Sequence, residues 1–179
     1  MIETAFKEST INSFLALRML NCQLAQGIIG KPALQVVGEN LVNHFYRFVA
    51  MPKPGDALVS PLELCIRIID AAGLSGKITN RLTEVAREAE LPGDRAAALA
   101  ALGGLDGTGF DDLVIERLKE ETSNLVLIVL VEVAGDRNLR SSVFCIKAVA
   151  RKNEKAPTVD GLLGTTCQEF LARFSKARP

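Results

Sequence analysis

Apolar residues recur at helical spacing through the first fifty residues of the chain. They predict one helix over about residues 3–27, ended by the glycines of 27–30, and a second that Pro32 opens. The expected inward face of the first helix consists of Ile11, Phe14, Leu15, Met19 and Cys22. The stripe on the second consists of Leu34, Val37, Leu41, Phe45 and Phe48. Residues 1–50 therefore predict a helical hairpin, and the prolines and glycine within 51–56 predict a linker after it.

From residue 60 onward, a pattern of small and apolar residues repeats with a period of 31 positions. Ala72-Gly73, Gly103-Gly104 and Ala134-Gly135 each end an apolar run that is typical of a helix. The aligned columns are Ile68, Leu99 and Leu130; Ala71, Leu102 and Val133; and Leu82, Leu113 and Phe144. We interpret residues 60–154 as stacked helix pairs, with a glycine in a left-handed cap between the two helices of each pair.

The predicted helices of this region follow from the same register. The first helices of the pairs cover about residues 60–72, 95–105 and 123–134, and the second helices about 77–90, 110–121 and 138–152. Ser60, Asp94 and Ser123 stand at the expected N-caps. A last helix, over about 158–176, closes the stack. Its expected inward residues are Leu162, Leu163, Phe170, Leu171 and Phe174.

The pattern resembles HEAT-like or armadillo-like helical repeats. The residues that carry the resemblance are the run of small and apolar residues over 95–103 and the amphipathic segment 113–118. The resemblance implies an all-α fold, in which the N-terminal helical hairpin precedes a short α-solenoid-like stack of helix pairs. With 179 residues, the chain is predicted to form a single domain, 1–179.

The third helix pair has a rival interpretation. Its first helix is rich in β-branched residues, which favour strands: Val126, Ile128, Val129, Val131 and Val133. Strands over 125–133 and 139–149 would form a β-hairpin at 125–149 and make the fold α+β. We favour the helical interpretation, because the run lacks strict alternation and the 31-residue register continues through it.

Charge and composition narrow the class of protein. The chain has 21 basic and 21 acidic side chains, so no overall field attracts it to nucleic acid or to an anionic membrane. Residues 60–122 carry seven basic and twelve acidic groups, whereas residues 123–179 carry nine basic and five acidic groups. The longest apolar run, 125–131, is too short to span a membrane, and charges interrupt any N-terminal signal core. We expect a cytoplasmic protein with no membrane segment.

The residues that could carry chemistry do not form a recognisable motif. The four cysteines, Cys22, Cys65, Cys145 and Cys167, include no CxxC pair, so we expect reduced core cysteines, no metal site and no cofactor. The glycine-lysine segments 27–32 and 73–78 lack the spacing of a phosphate-binding loop and are better interpreted as helix ends. His44 is the only histidine, and a catalytic pairing with a cysteine is a minor alternative. The carboxylates of Glu120 and Glu121 are expected to be solvated.

Two surfaces are candidates for binding. In the basic segment 137–155, Arg140, Lys147 and Arg151 fall within about 40° of one another on a helical wheel. They form either an anion-binding ridge or an ordinary solvated helix face, and the second interpretation is favoured. Around His44, Tyr46 and Arg47 are of the residue types found in binding hot spots, with packing inside the domain as an equal alternative.

These observations favour a non-enzymatic protein-protein interaction module or adaptor. The expected partner is another protein, with an acidic surface as one option, and a homodimer is another expected assembly. The alternative is a binder of nucleic acid or another polyanion through segment 137–155 and the C-terminal Arg173, Lys176 and Arg178. An enzyme that uses His44 with a cysteine is the third and least favoured hypothesis.

Overall fold

A computed structural model describes residues 10–49, 51, 59–105, 109–156 and 160–175 of the chain. The described residues fold into nine α-helices joined by short connections and include no strand. The helices are α1 (Thr10–Ala25), α2 (Lys31–Asn43), α3 (Pro61–Ala71), α4 (Thr79–Glu88), α5 (Pro92–Gly103), α6 (Phe110–Glu120), α7 (Asn124–Asp136), α8 (Val143–Glu154) and α9 (Gly161–Ser175). The all-α prediction is confirmed. The alternative β-hairpin at 125–149 is wrong, because α7 and α8 occupy that segment.

The β-branched run of α7 is helical because its environment overrides its intrinsic preference. Val126, Leu130 and Val133 lie on one face of α7 and are buried. Val131 and Ala134 are buried beside them. Burial of several apolar side chains stabilises the helix by about 1.5–3 kcal/mol each, which exceeds the few tenths of a kcal/mol per residue that β-branching costs.

The chain forms two compact units, Met1–Ala98 and Leu99–Pro179. In the first unit, α1 and α2 both pack against α3. The five-residue apolar stripe predicted for the second helix is buried, but the helix ends at Asn43 and a 3₁₀ turn, Phe45–Phe48, carries its last two members. The predicted linker, 51–56, lies outside the described residues except for residue 51.

The face predicted for the first helix is largely wrong. Phe14 is buried as expected, but Leu15, Met19 and Cys22 are exposed, and Leu17 and Leu20 are buried instead. The side chain of Ile11 lies outside the described residues. The error has a physical cause. Apolar residues lie on all faces of this helix, so their spacing does not indicate which face is buried.

In the first unit, α3 begins and ends as its sequence predicts. Ser60 is its N-cap and accepts a hydrogen bond from the Glu63 N–H at 3.1 Å, with Pro61 following in the first turn. Gly73, at φ 70°, adopts the left-handed conformation just beyond the helix. The Leu74 N–H then donates to the Ile69 carbonyl at 3.0 Å. This is a Schellman cap, and a 3₁₀ turn, Ser75–Ile78, leads from it into α4.

The second unit uses the same cap, but not at the predicted glycine. Gly135 lies inside α7, and Asn138 takes the left-handed conformation at φ 54°. The Leu139 N–H donates to the Ala134 carbonyl at 2.8 Å, and a 3₁₀ turn, Arg140–Ser142, leads into α8. The cap is therefore 65 positions after Gly73, and the buried Ile146 and Val149 lie 64 positions after the buried Leu82 and Val85.

The second unit ends with α9 packed against both α7 and α8. Of its predicted inward residues, Leu163 and Phe170 are buried, but Leu162 is 65% exposed. Asp160 begins α9: its carboxylate accepts hydrogen bonds from the Leu163 N–H and from the Asn124 side chain, and the bond from the Leu163 N–H lowers the pKa of that carboxyl. α9 therefore lies against both helices, with one groove beside α7 and another beside α8.

Candidate interaction surface

The exposed face of α8 carries an aromatic ring between cations. Cys145, Ile146 and Val149 are buried, so the opposite side of the helix faces solvent. That side presents Phe144, Lys147, Ala148 and Arg151 at positions i, i+3, i+4 and i+7. Phe144 is 83% exposed, which makes it the most exposed large apolar side chain of the described residues.

Beside this face lies a cleft between the 3₁₀ turn, α8 and α9. It has a volume of about 590 Å³ and is lined by Arg140, Val143, Lys147, Leu171, Phe174 and Ser175. We call it the basic cleft, because Arg140 and Lys147 are the only charged residues that line it in the described part of the chain. Its three apolar lining residues, Val143, Leu171 and Phe174, are referred to below as its apolar floor. Such a cleft can accept an apolar side chain and pair its flanking carboxylates.

The three cations predicted as one stripe do not share one helix. Arg140 lies in the 3₁₀ turn, because α8 begins at Val143 and not near residue 138. Arg140 and Lys147 nevertheless meet in the basic cleft, and Arg151 lies one turn further along α8. All three are exposed, and none forms an ion pair with any residue that the structure describes. Their charges are therefore available to a ligand.

Arg137, in contrast, is used inside the second unit. Its guanidinium donates to the Leu105 carbonyl at 3.2 Å, pairs with Asp111 at 3.3 Å and lies over the Phe110 ring, 5.3 Å from the centroid. This residue of the basic segment holds α7 to the residues before α6. Of the C-terminal cations, Arg173 is exposed on α9, while Lys176 and Arg178 lie outside the described residues.

Sequence reasoning missed Phe144. The 31-residue register places it in a column with Leu82 and Leu113, which are both buried. The cap at Asn138 and the 3₁₀ turn after it shift the register of α8, so that Ile146 occupies the inward position. The spacing of apolar residues within α8 alone could have indicated that Phe144 is exposed. Cys145, Ile146 and Val149 define one apolar face, and Phe144 lies outside that face.

The second candidate surface is largely occupied within its own unit. Tyr46 is 49% exposed, and its hydroxyl donates to Glu84 at 2.5 Å. The Arg81 guanidinium lies over the Tyr46 ring, 5.7 Å from its centroid, and also donates to the Val42 carbonyl. The hydrogen bond to the Glu84 carboxylate raises the pKa of Tyr46. Arg47 is exposed beside it but already has interactions in the structure. These contacts favour packing as the role of this pair.

Two of the four cysteines lie in environments that do not activate a thiol. All four are free of disulfides, and Cys65, Cys145 and Cys167 are buried. Burial raises the pKa of the Cys65 thiol, and raises that of Cys167 to about 11, whereas a nucleophilic cysteine needs a lowered pKa. His44 is partly buried between α2 and the 3₁₀ turn that follows. Within the described ranges, no group of His, Cys, Asp or Glu side chains could hold a metal ion.

Of the two carboxylates at the end of α6, one is exposed as expected and the other is buried. Glu120 is 62% exposed, as predicted, but the Glu121 side chain is only 2% exposed. Glu121 pairs with Arg117 at 2.8 Å and accepts hydrogen bonds from the N–H groups of Thr122 and Ser123. It therefore satisfies backbone donors that precede α7, which is a structural role.

Comparisons with protein-family models, with curated proteins and with solved structures found no match to this chain. No helix among the described residues has the length and apolar character needed to cross a bilayer.

Proposed function

We propose that the protein is a non-enzymatic interaction module whose second unit binds an acidic, amphipathic protein segment. The observation that carries the proposal is the combination of unpaired Arg140 and Lys147 with the apolar floor of the basic cleft, next to the exposed ring of Phe144. Exposed aromatic and arginine side chains at a concave site are the usual anchors of protein interfaces.

The chemistry of the cleft favours a protein segment over a nucleic-acid backbone. A phosphate backbone needs cations along its path but no apolar floor. Val143, Leu171 and Phe174 supply such a floor, and an amphipathic helix with carboxylates beside its apolar stripe complements both features. Binding of a polyanion through the same cations is the alternative that the experiment below distinguishes.

The fold supports the same class of function. The Schellman cap, buried leucine and 3₁₀ turn recur after α3 and after α7, and similar burial follows in α4 and α8. This recurrence supports the proposed resemblance to HEAT-like repeats, in which stacked helix pairs present extended binding surfaces. A cytoplasmic location, without cofactor or metal, completes the proposal.

The experiment measures binding of three probes to the full chain by fluorescence anisotropy. The probes are an amphipathic helical peptide of leucine and glutamate, a polyglutamate of equal length, and a single-stranded oligonucleotide. The proposal predicts that the leucine-glutamate peptide binds most tightly, and that Lys147→Glu weakens its binding about tenfold, since a like charge then faces the carboxylates.

A matched control makes the result specific. Lys152 is exposed on the same helix but about 180° from Val143 on the helical wheel, so Lys152→Glu makes the same charge change outside the cleft. We expect it to leave peptide binding within about twofold of wild type. Tighter binding of the oligonucleotide, or equal losses in both variants, would contradict the proposal.

A further inference from the structure

A second cleft runs along the other side of α9, and its charge is opposite. It lies between α7 and α9, has a volume of about 410 Å³, and carries three carboxylates, those of Glu132, Asp136 and Glu169. Arg173 is the single cation that lines it, and Leu162 contributes an exposed apolar side chain. The three carboxylates form no ion pair with described residues. We call this groove the acidic cleft.

The two clefts flank the same helix. Leu163, Cys167 and Phe170 mark the buried side of α9. On a helical wheel, the mean direction of the acidic-cleft residues Leu162, Glu169 and Arg173 is about 105° from the buried side of α9. The basic-cleft residues Leu171 and Ser175 lie about 75–115° to the other side. The outward face of α9 therefore separates a basic groove from an acidic one.

The two clefts overlap along the C-terminal part of α9, because the lining of the acidic cleft extends from Leu162 to Arg173 and that of the basic cleft from Leu171 to Ser175. An added side-chain carbon at Gly135 would contact Phe170 and Arg173, at 3.7 and 3.4 Å, so the end of α7 lies beside the C-terminal part of α9. Asp136 is therefore level with Leu171, which lines the basic cleft on the opposite side.

We propose that a second copy of this chain occupies the basic cleft and presents its acidic cleft there, so that two copies form a closed dimer across α9. Rotation about a two-fold axis parallel to α9 keeps each residue at the same height along the helix. It brings the basic cleft of one copy opposite the acidic cleft of the other. It places Arg140 and Lys147 of each copy opposite Asp136 and Glu169 of the other copy, twice in the same interface.

This arrangement also accounts for two exposed apolar side chains of the second unit. Phe144 and Leu162, exposed at 83% and 65%, lie beside the two clefts and would both lose solvent contact in the dimer. The outermost side chains of α9 include Thr165 and Ala172, which are small enough to let two copies of the helix approach closely. An axis perpendicular to α9 would instead place like charges together, so charge complementarity selects the parallel arrangement.

The proposal rests on the proposed function, because the same basic cleft binds the acidic surface in both. The test is sedimentation velocity of the full chain at micromolar concentration, with three proteins: wild type, Arg140→Glu/Lys147→Glu, and Asp136→Lys/Glu169→Lys. The substituted positions are all exposed, and circular dichroism is used to check that each variant keeps its helical content.

We expect a wild-type dimer that dissociates as salt is raised, and a dissociation constant at least about tenfold higher for each variant alone. An equimolar mixture of the two variants should recover the dimer. In the mixed dimer, the basic cleft that was made acidic faces the acidic cleft that was made basic, and the two unchanged clefts face each other. Lys152→Glu, the control outside both clefts, should dimerise like wild type.

Several outcomes overturn the dimer. A monomeric wild type, an open series of larger species, or a mixture that stays monomeric each contradicts it. A monomeric wild type that still binds the leucine-glutamate peptide removes the second copy as occupant and leaves the proposed function standing. A wild type that neither dimerises nor binds the peptide removes both proposals.

Discussion

Asn153 and Asp160 form a reciprocal pair that ties the end of α8 to the start of α9. The Asn153 side-chain N–H donates to the Asp160 carbonyl at 3.0 Å, and its amide oxygen accepts from the Asp160 N–H at 3.2 Å. Asn153 is buried, so both bonds are protected from water. The pair therefore fixes the connection between α8 and α9 at the end opposite the basic cleft, which is lined by the start of α8 and the end of α9.

The first prediction follows from this pair. Asn153→Ala removes the acceptor of the Asp160 N–H and one of two donors to the Asp160 carbonyl, which keeps its bond from the Gly164 N–H. We expect the free energy of unfolding to fall by about 1–3 kcal/mol. Urea denaturation followed by circular dichroism measures the change. Asn80→Ala, at an exposed position of α4, is the control and should change stability by less than about 0.5 kcal/mol. Equal effects of the two substitutions would show that the pair contributes nothing specific.

The second prediction concerns the two neighbouring glutamates at the end of α6. Glu121→Ala removes the partner of Arg117 and the acceptor for two backbone N–H groups, all within a buried site. We expect a loss of about 3 kcal/mol, because a largely buried arginine then keeps only the exposed Glu120 carboxylate as a counter-charge. Glu120→Ala removes an exposed carboxylate that contacts the same arginine at 3.4 Å, and should cost less than about 1 kcal/mol. Thermal melts of the two variants provide the comparison, and a larger shift for Glu120→Ala would refute the assignment.

The third prediction concerns close packing in the first unit. A side-chain carbon at Gly38, in the middle of α2, would approach the Ala72 methyl group to 2.6 Å and a Leu74 methyl to 3.0 Å. Gly38→Ala should therefore destabilise the protein by about 1–3 kcal/mol, although alanine is the better helix former. Gly76→Ala, where an added carbon meets no atom within 4 Å, is the control with little expected effect. The free energy of unfolding from chemical denaturation decides between the two outcomes.

The fourth prediction uses the single tyrosine of a chain that has no tryptophan. The hydrogen bond to Glu84 raises the pKa of Tyr46 above its ordinary value of 10.0. Since the folded pKa is the higher one, the stabilisation from this bond is complete below the unfolded pKa. It is lost as pH rises through the folded pKa.

Near-ultraviolet absorbance of tyrosinate measures this titration without interference from any other residue. We expect the midpoint to lie above that of a tyrosine peptide, and Glu84→Ala to return it towards the peptide value. Arg87→Ala changes an exposed charge on the same helix and serves as control. A wild-type midpoint equal to that of the peptide would mean that the Tyr46–Glu84 bond does not persist in solution.

The sequence predicts the buried positions where a single apolar stripe stands out. The five-residue stripe of α2 and the 3₁₀ turn after it is buried in full, and Ser60 caps α3 as its sequence indicates. In α1 the pattern has two solutions, since Leu17 and Leu20 are as apolar as Leu15 and Met19. Only tertiary packing on α3 decides which pair is buried.

The candidate site was harder to predict for a different reason. Its cations were identified from charge alone, but the cap at Asn138 and the 3₁₀ turn at Arg140 shift the register by a few residues. A shift of this size places Phe144 in solvent rather than in the core. Leu171 and Phe174 join the site from α9, and no local signal relates that helix to α8.

The most direct test of the proposed interaction surface is a nuclear magnetic resonance titration of the isotope-labelled full chain with the leucine-glutamate peptide. We expect the shifted amide resonances to cluster in residues 140–151 and 171–175, and we expect Lys147→Glu but not Lys152→Glu to suppress those shifts. Shifts concentrated in residues 10–98, or binding that Lys147→Glu leaves unchanged, would contradict the assignment of the basic cleft as the binding site.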